Sequence, residues 1–316
     1  MTLTSLTSVD NAIPEFWAAA LLWDAQKQMF WFSYEGPQGS GMPIIRKDEL
    51  TKNSAGDTIH VQTLTLLSGA GITSETGDLT GNEEELSLGQ ITVTVSILAH
   101  AVKWTKYANQ QALFDIRTTA QNALSIWLSD KMDNKIFTTF ASEQTTNILY
   151  ANDATSVADL GTDDTLSTTT LDKIKVALEM NRAMPIKTSN GDKYFIVVVH
   201  PYDAYNLRQD STWLQVQREA QLRGDSNPIF TGAMGVYNGM IVRISENVAN
   251  AASKSSCLAF GGEAMVKAYG QLPAWMEQVD DYARKIGIGT DVVYGLKLGP
   301  TANSYVVNTY AANPNA

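Results

Sequence analysis

The sequence predicts an α+β protein whose body carries two projecting segments. Three observations lead there. Apolar residues recur at helical spacing through 107–140, strand patterns flank a long polar connection between residues 57 and 98, and a buried strand near residue 194 runs into a helix and further short strands.

Residues 14–34, PEFWAAALLWDAQKQMFWFSY, place Phe16, Trp17, Ala20, Leu21, Met29 and Phe30 near helical spacing. Pro14 suits a first turn. The stretch is apolar on more than one face and holds six Phe and Trp residues. Burying six such rings returns roughly 30 kcal/mol gross. Ordering about twenty residues opposes it by roughly as much. Two readings stay open: an ordinary core helix, or an arm that orders on an outside surface.

Residues 57–67, DTIHVQTLTLL, read as a strand, and 90–98, QITVTVSIL, alternate through Ile91, Val93, Val95 and Ile97. The glycine-rich, acidic stretch between them is too long for a tight hairpin, and such connections tend to be functional. In 107–140, Leu113, Ile116, Ala120, Leu124, Trp127, Leu128, Met132, Ile136 and Phe137 recur at i+3 and i+4 steps with no Pro or Gly between. A rod of that length is ~45 Å long and spans a domain.

Residues 150–165 read as a polar loop, after which Ser167 or Thr168 caps a helix, TTTLDKIKVALEMNRA, ended by the Met184–Pro185 step. Tyr194–Val199 is a continuous apolar run, hence a buried central strand. HPYDAYNLRQDSTWLQVQREA follows as one helix of mixed polarity, and residues 224–239 as a loop. MIVRIS, CLAFGG, DVVYGLKLG and SYVVNTYA read as strands, AMVKAYG as an element of unsettled type, and DDYARK as helical or extended.

The formal charge of -10 is uneven. Residues 1–100 hold four basic against twelve acidic side chains, a balance of -8, and the remainder nineteen against twenty-one, a balance of -2. Gripping nucleic acid needs clustered Lys and Arg, so tight binding is excluded while enclosure is not. Charged residues are 18% of the chain, which leaves neutral surface for neighbours. A single cysteine, Cys257, rules out an intramolecular disulfide and reads as an inert buried thiol. Neither a signal peptide nor a ~20-residue apolar span is present, so synthesis in a cytoplasm and no membrane contact are expected.

No phosphate loop, nucleophile elbow or dinucleotide fingerprint occurs, so no catalytic, cofactor or metal residue is assigned. The acidic clusters Glu83–Glu84–Glu85 and Asp159, Asp163, Asp164 lack calcium-loop order and read as solvated charge. His200 follows a buried strand, where α/β enzymes place catalytic groups, but has no Ser, Cys or second His beside it and reads as a packed or capping residue.

Five blocks in order resemble a known family: KDELTKNSAGDTIHV, LTGNEEELSLGQITV, HPYDAYNLR, NPIFTGAMGVYNGMIVR and DYARKIGIGTDVVYGLKL. They are similar to the major capsid proteins of tailed bacteriophages, in the branch typified by coliphage N-four, of the Hong Kong 97 fold. The resemblance implies an N-terminal arm over 1–50 and an extended loop built on a β-hairpin over 51–103. It further implies a peripheral domain with a spine helix over 104–190, an axial domain over 191–275 and returning strands of the peripheral domain over 276–316.

It implies a coat protein that self-assembles through hexamers and pentamers into an icosahedral shell around double-stranded DNA, without specific DNA binding. The implied partners are copies of itself, a portal, a separate scaffolding protein and decoration proteins. A scaffolding protein is expected because the recognisable blocks begin almost at once. The virion is the implied location. Inter-subunit contacts are expected at Trp17, Trp23 and Trp31 of the arm, Glu83, Glu84 and Glu85 of the loop, and Tyr202 and Tyr205 of the axial domain. Lys52 and Lys103 are cross-link candidates by location alone. The rivals are an encapsulin-type nanocompartment shell, an α/β enzyme of unknown substrate and a secreted adhesin.

Overall fold

The computed structural model describes residues 29–48, 50, 56–64, 67, 69, 71–74, 77–80, 83–86, 88–112, 115–187, 193–219 and 233–314. Among these residues three sheets form, and one long helix crosses from the first to the second.

The chain enters through a 3-10 turn, Trp31–Tyr34, held by a carboxylate from far along the sequence. The Phe30 N–H donates to Asp133 Oδ2 at 2.7 Å, and the Trp31 N–H to Asp133 Oδ1 at 3.4 Å. Trp31 has no exposed surface, and its ring lies 5.0 Å from Phe137, 5.2 Å from Phe260 and 5.7 Å from Phe140. Trp31, one of the expected contact residues, is thus packed inside its own chain. Its partners are rings of its own chain, and they leave no face for another.

Strands β1 (Glu35–Gly36) and β2 (Ile44–Lys47) pair in parallel. The arm expected over 1–50 is therefore part of the body from Met29 to Lys47, and Trp17 and Trp23 lie outside the described residues.

Strands β3 (Thr58–Leu64) and β4 (Leu88–Thr94) pair antiparallel, so the expected hairpin is present. Alternation buries Ile59, Val61 and Val93 against Ile45, Val266 and Ala268 of the body. Strand β5 (Ser96–Thr105) then leads into α1 (Lys106–Gln111) and α2 (Ile116–Glu143). The unbroken helix expected from residue 107 is two helices. Asp115 takes an extended conformation, and its carboxylate accepts from the Arg117 N–H and the Thr118 hydroxyl, a cap that starts α2 afresh.

At 28 residues α2 is ~42 Å long and spans both sheets. Leu124, Leu128 and Met132 pack on the five-stranded sheet, while Ile136, Phe137 and Phe140 pack on the eight-stranded one. After the short strand β6 (Ile148–Tyr150), Ser167 caps α3 (Thr168–Met180), as expected. This helix ends before the Met184–Pro185 step because Arg182 turns left-handed and the Ala183 N–H closes on Leu178.

Past β7 (Ile186–Lys187), strand β8 (Lys193–Val199) lies in the middle of the eight-stranded sheet. Phe195, Val197 and Val199 face one cluster and Ile196 and Val198 another, which explains the continuous apolar run. The expected single helix is divided into α4 (Pro201–Gln209) and α5 (Ser211–Glu219) by Asp210, whose carboxylate accepts from the Thr168 and Thr212 N–H groups.

Within the expected loop 224–239, residues 233–237 form a strand, β9 (Ala233–Tyr237), because they pair with β10 (Met240–Ile244). The same sheet takes in β11 (Asn250–Ala251) and β12 (Lys254–Phe260).

Strands β13 (Met265–Asp280) and β14 (Lys285–Leu298) form the longest hairpin, and β5 and β2 flank it. The boundary expected at residue 275 thus falls inside β13. DDYARK is a turn in which Asp281, Tyr282 and Ala283 take φ of 54°, 53° and 64°. Each left-handed residue costs roughly 1–2 kcal/mol. The final strand β15 (Ser304–Tyr310) joins the eight-stranded sheet, so the returning strands divide between the two sheets. Beneath the five-stranded sheet, Lys267 pairs with Glu35 at 2.5 Å, the two side chains 1% and 4% exposed.

Candidate assembly surfaces

The groups that suggested chemistry are consumed by the fold. His200 Nδ1 accepts from the Tyr202 N–H at 3.2 Å and so caps α4, while burial pushes the imidazole below its ordinary value. Cys257 is wholly buried and donates to Asp203 Oδ2 at 3.3 Å. Burial first, then the Asp203 charge, pushes its thiol well up, away from the reactive thiolate. Asp203 also accepts from the Thr309 hydroxyl at 2.6 Å and ties α4 to β15. Among the described residues no group of three or more His, Cys, Asp or Glu converges to hold a metal ion.

What the fold leaves outward is a set of separated apolar spots. On the β3–β4 hairpin and its connection, Leu79, Leu86 and Leu88 are exposed, with Glu83, Glu84 and Glu85 between them. Glu84 accepts from the Gly69 N–H at 2.7 Å, which draws the two sides of that connection together. On the helical layer over the eight-stranded sheet, Val176 and Met180 of α3 and Tyr205 of α4 are exposed. Tyr202 is half-buried with its ring 4.6 Å from His200.

The third spot was not singled out from sequence: Met276, Val279 and Tyr282 on the distal β13–β14 hairpin. Their signal was an aromatic residue inside a charged turn, DDYARK. The expected contact residues are therefore not one cluster, since Glu83–Glu85 and Tyr202–Tyr205 lie on different elements. Lys103 is ion-paired with Asp280, and Lys52 lies outside the described residues. Several small surfaces facing different ways suit a subunit with many neighbours better than a ligand site.

A family model for phage capsid protein matches residues 5–150 and 142–298. The chain belongs to the phage capsid protein family. This capsid protein is 21% identical to the major capsid protein of Pseudomonas phage KPP25 over 98% of its own length and 97% of the relative's. Its fold is similar to the capsid of Ralstonia phage GP4, with a TM-score of 0.79 and 23% identity over 92% of this chain and 93% of that one.

The capsid of cyanophage Pam1 follows at 0.75 and 19%, over 90% and 92%. The fold is Hong Kong 97-like. The capsid protein is a phage major capsid protein and a component of the virion, and the nanocompartment and enzyme readings are not favoured. No described helix is long and apolar enough to cross a membrane.

Proposed function

We propose that copies of this capsid protein form hexamers and pentamers that close as an icosahedral shell around double-stranded DNA, with no catalytic step. The observation carrying this is the family match through residue 298 together with a body that exposes small apolar surfaces on separate elements. Each contact is modest, and closure makes the later ones at high effective concentration. Heterologous contacts that close are what a curved shell requires.

In this reading the chain falls in the N-four-like branch, supported by the five ordered blocks. Glu83, Glu84, Glu85, Tyr202 and Tyr205 lie at contacts between subunits, and Trp17 and Trp23 join them from the N-terminal stretch. A scaffolding protein and a portal are the chain's partners in assembly. The acidic balance of residues 1–100 keeps packaged DNA from adhering to the wall. Negative-stain microscopy of the purified protein tests the proposal. Icosahedral particles are expected, and a compact monomer at high concentration overturns it.

A further inference from the structure

Two places on the β13–β14 hairpin are ill-suited to their own fold, and each has the shape the other lacks. The first is the tip. Asp281, Tyr282 and Ala283 hold left-handed φ values that glycine or asparagine would adopt with far less steric conflict. The Arg284 N–H closes the turn on the Asp281 carbonyl at 3.0 Å, but Tyr282 is fully exposed at 101%, so its ring adds no contact within its own chain. An exposed aromatic held on a strained backbone has the character of an anchor for a partner.

The second is a trench on the sheet face turned away from α2. Trp275 and Ile288 point toward α2, so alternation sends Gly287 and Gly289 to the opposite side. There they join Ala101 as the floor of a cavity of about 210 Å³, walled by Met276, Gln278 and Lys103. The Lys103–Asp280 ion pair stands at its end nearer the tip. Gly287 has no left-handed φ, and a Cβ built on it would meet nothing closer than 3.7 Å. Neither backbone nor packing demands glycine there, although glycine inside a strand weakens it. Bare backbone at such a position marks the close approach of another group.

We propose that Tyr282 of one copy lies in the Gly287–Gly289 trench of a second copy. A ring laid over strand glycines covers otherwise exposed backbone. A cavity of roughly 150 Å³ already accepts benzene, so this trench has room for a phenol. Ring and trench share one hairpin, so every copy gives one ring and receives one. The contact is heterologous, and a rotation that closes it makes a ring of copies. The inference rests on the shell-subunit reading above.

The test places the photoreactive residue p-benzoylphenylalanine at position 282 and irradiates assembled particles. Adducts between chains, mapped by mass spectrometry to residues 99–103, 276–280 or 285–291, are the expected result. Adducts elsewhere, including tip to tip, overturn the contact while leaving the shell reading intact. A chain that forms no particles even without substitution overturns both.

Gly287→Val supplies a second measurement, since a Cβ there meets nothing closer than 3.7 Å and the branches extend into the trench. Its circular dichroism and monomer thermal midpoint should match the unsubstituted protein, with particle yield down tenfold or more. Normal yield, or lost yield together with lost fold, counts against the trench.

Discussion

Trp31 lies among Phe137, Phe140 and Phe260 with no exposed surface, whereas Tyr282 stands fully exposed at the tip of the longest hairpin. The first sits in a stretch dense in aromatics that could serve as an arm, the second in a charged turn. Their fates are the reverse of what local composition suggests. The difference teaches that lying in an aromatic-dense stretch does not by itself turn a ring outward, as Trp31 shows. What separates the two is whether the chain folds other groups onto the ring and the backbone beside it. Trp31 has the Asp133 carboxylate on its N–H, while Tyr282 sits in a left-handed run and its ring touches nothing in its own chain.

The comparison breaks most readily at Trp31. Trp31→Ala should lower stability by about 3–5 kcal/mol, as expected for a wholly buried large ring. Urea denaturation measures it. A loss below about 1 kcal/mol would mean that the entering segment is not part of the folded unit.

The next effect is at Asp133. Burial, opposed by the Phe30 and Trp31 N–H groups and by Lys267, raises its carboxyl to about 6 from 3.8. The folded state therefore holds the proton more tightly than the unfolded chain does, so this residue's contribution to stability falls as pH rises from about 4 to about 6. Its ceiling is about 3 kcal/mol. Asp133→Asn should flatten that part of the profile, and identical slopes in the two proteins would dissociate the carboxylate from the clamp.

The smallest change is at the tip. Tyr282→Gly relieves left-handed strain while loosening the unfolded chain, for a net gain of about 0.5–1 kcal/mol in the monomer. Thermal unfolding of unassembled protein reads it out. A fall in stability would show that the ring supports its own fold, and the contrast with Trp31 would disappear.

Legibility in the sequence followed how local each interaction is. Helix α2, the Ser167 cap, the alternation of β3 and β4 and the doubly buried β8 were all readable, because each rests on spacing within its own segment. The long hairpin was not. Its pairing shifts register between Tyr269 and Gln271 and again between Gln271 and Ala274, where Gly270 and Pro273 interrupt the alternation. DDYARK could be read as helical or extended, because the left-handed φ values of its non-glycine residues leave no mark in composition. The placement of residues 29–47 was hidden for another reason. Their partners, Asp133, Phe260 and Met265–Ala268, lie roughly 100 to 230 residues away.

That separation has a consequence in time. Strand β2 pairs in parallel with Met265–Ala268, so its sheet cannot form until some 220 further residues have been made. At ~5–20 residues per second, translation of that stretch takes roughly 10–40 s. Through that interval Ile44 and Ile45 have only the two-residue strand β1 beside them, and the β13 edge on which β2 will lie does not yet exist. A subunit built this way reaches its assembling shape only after Met265–Ala268 has been made. The topology itself delays assembly until the chain is ready for it.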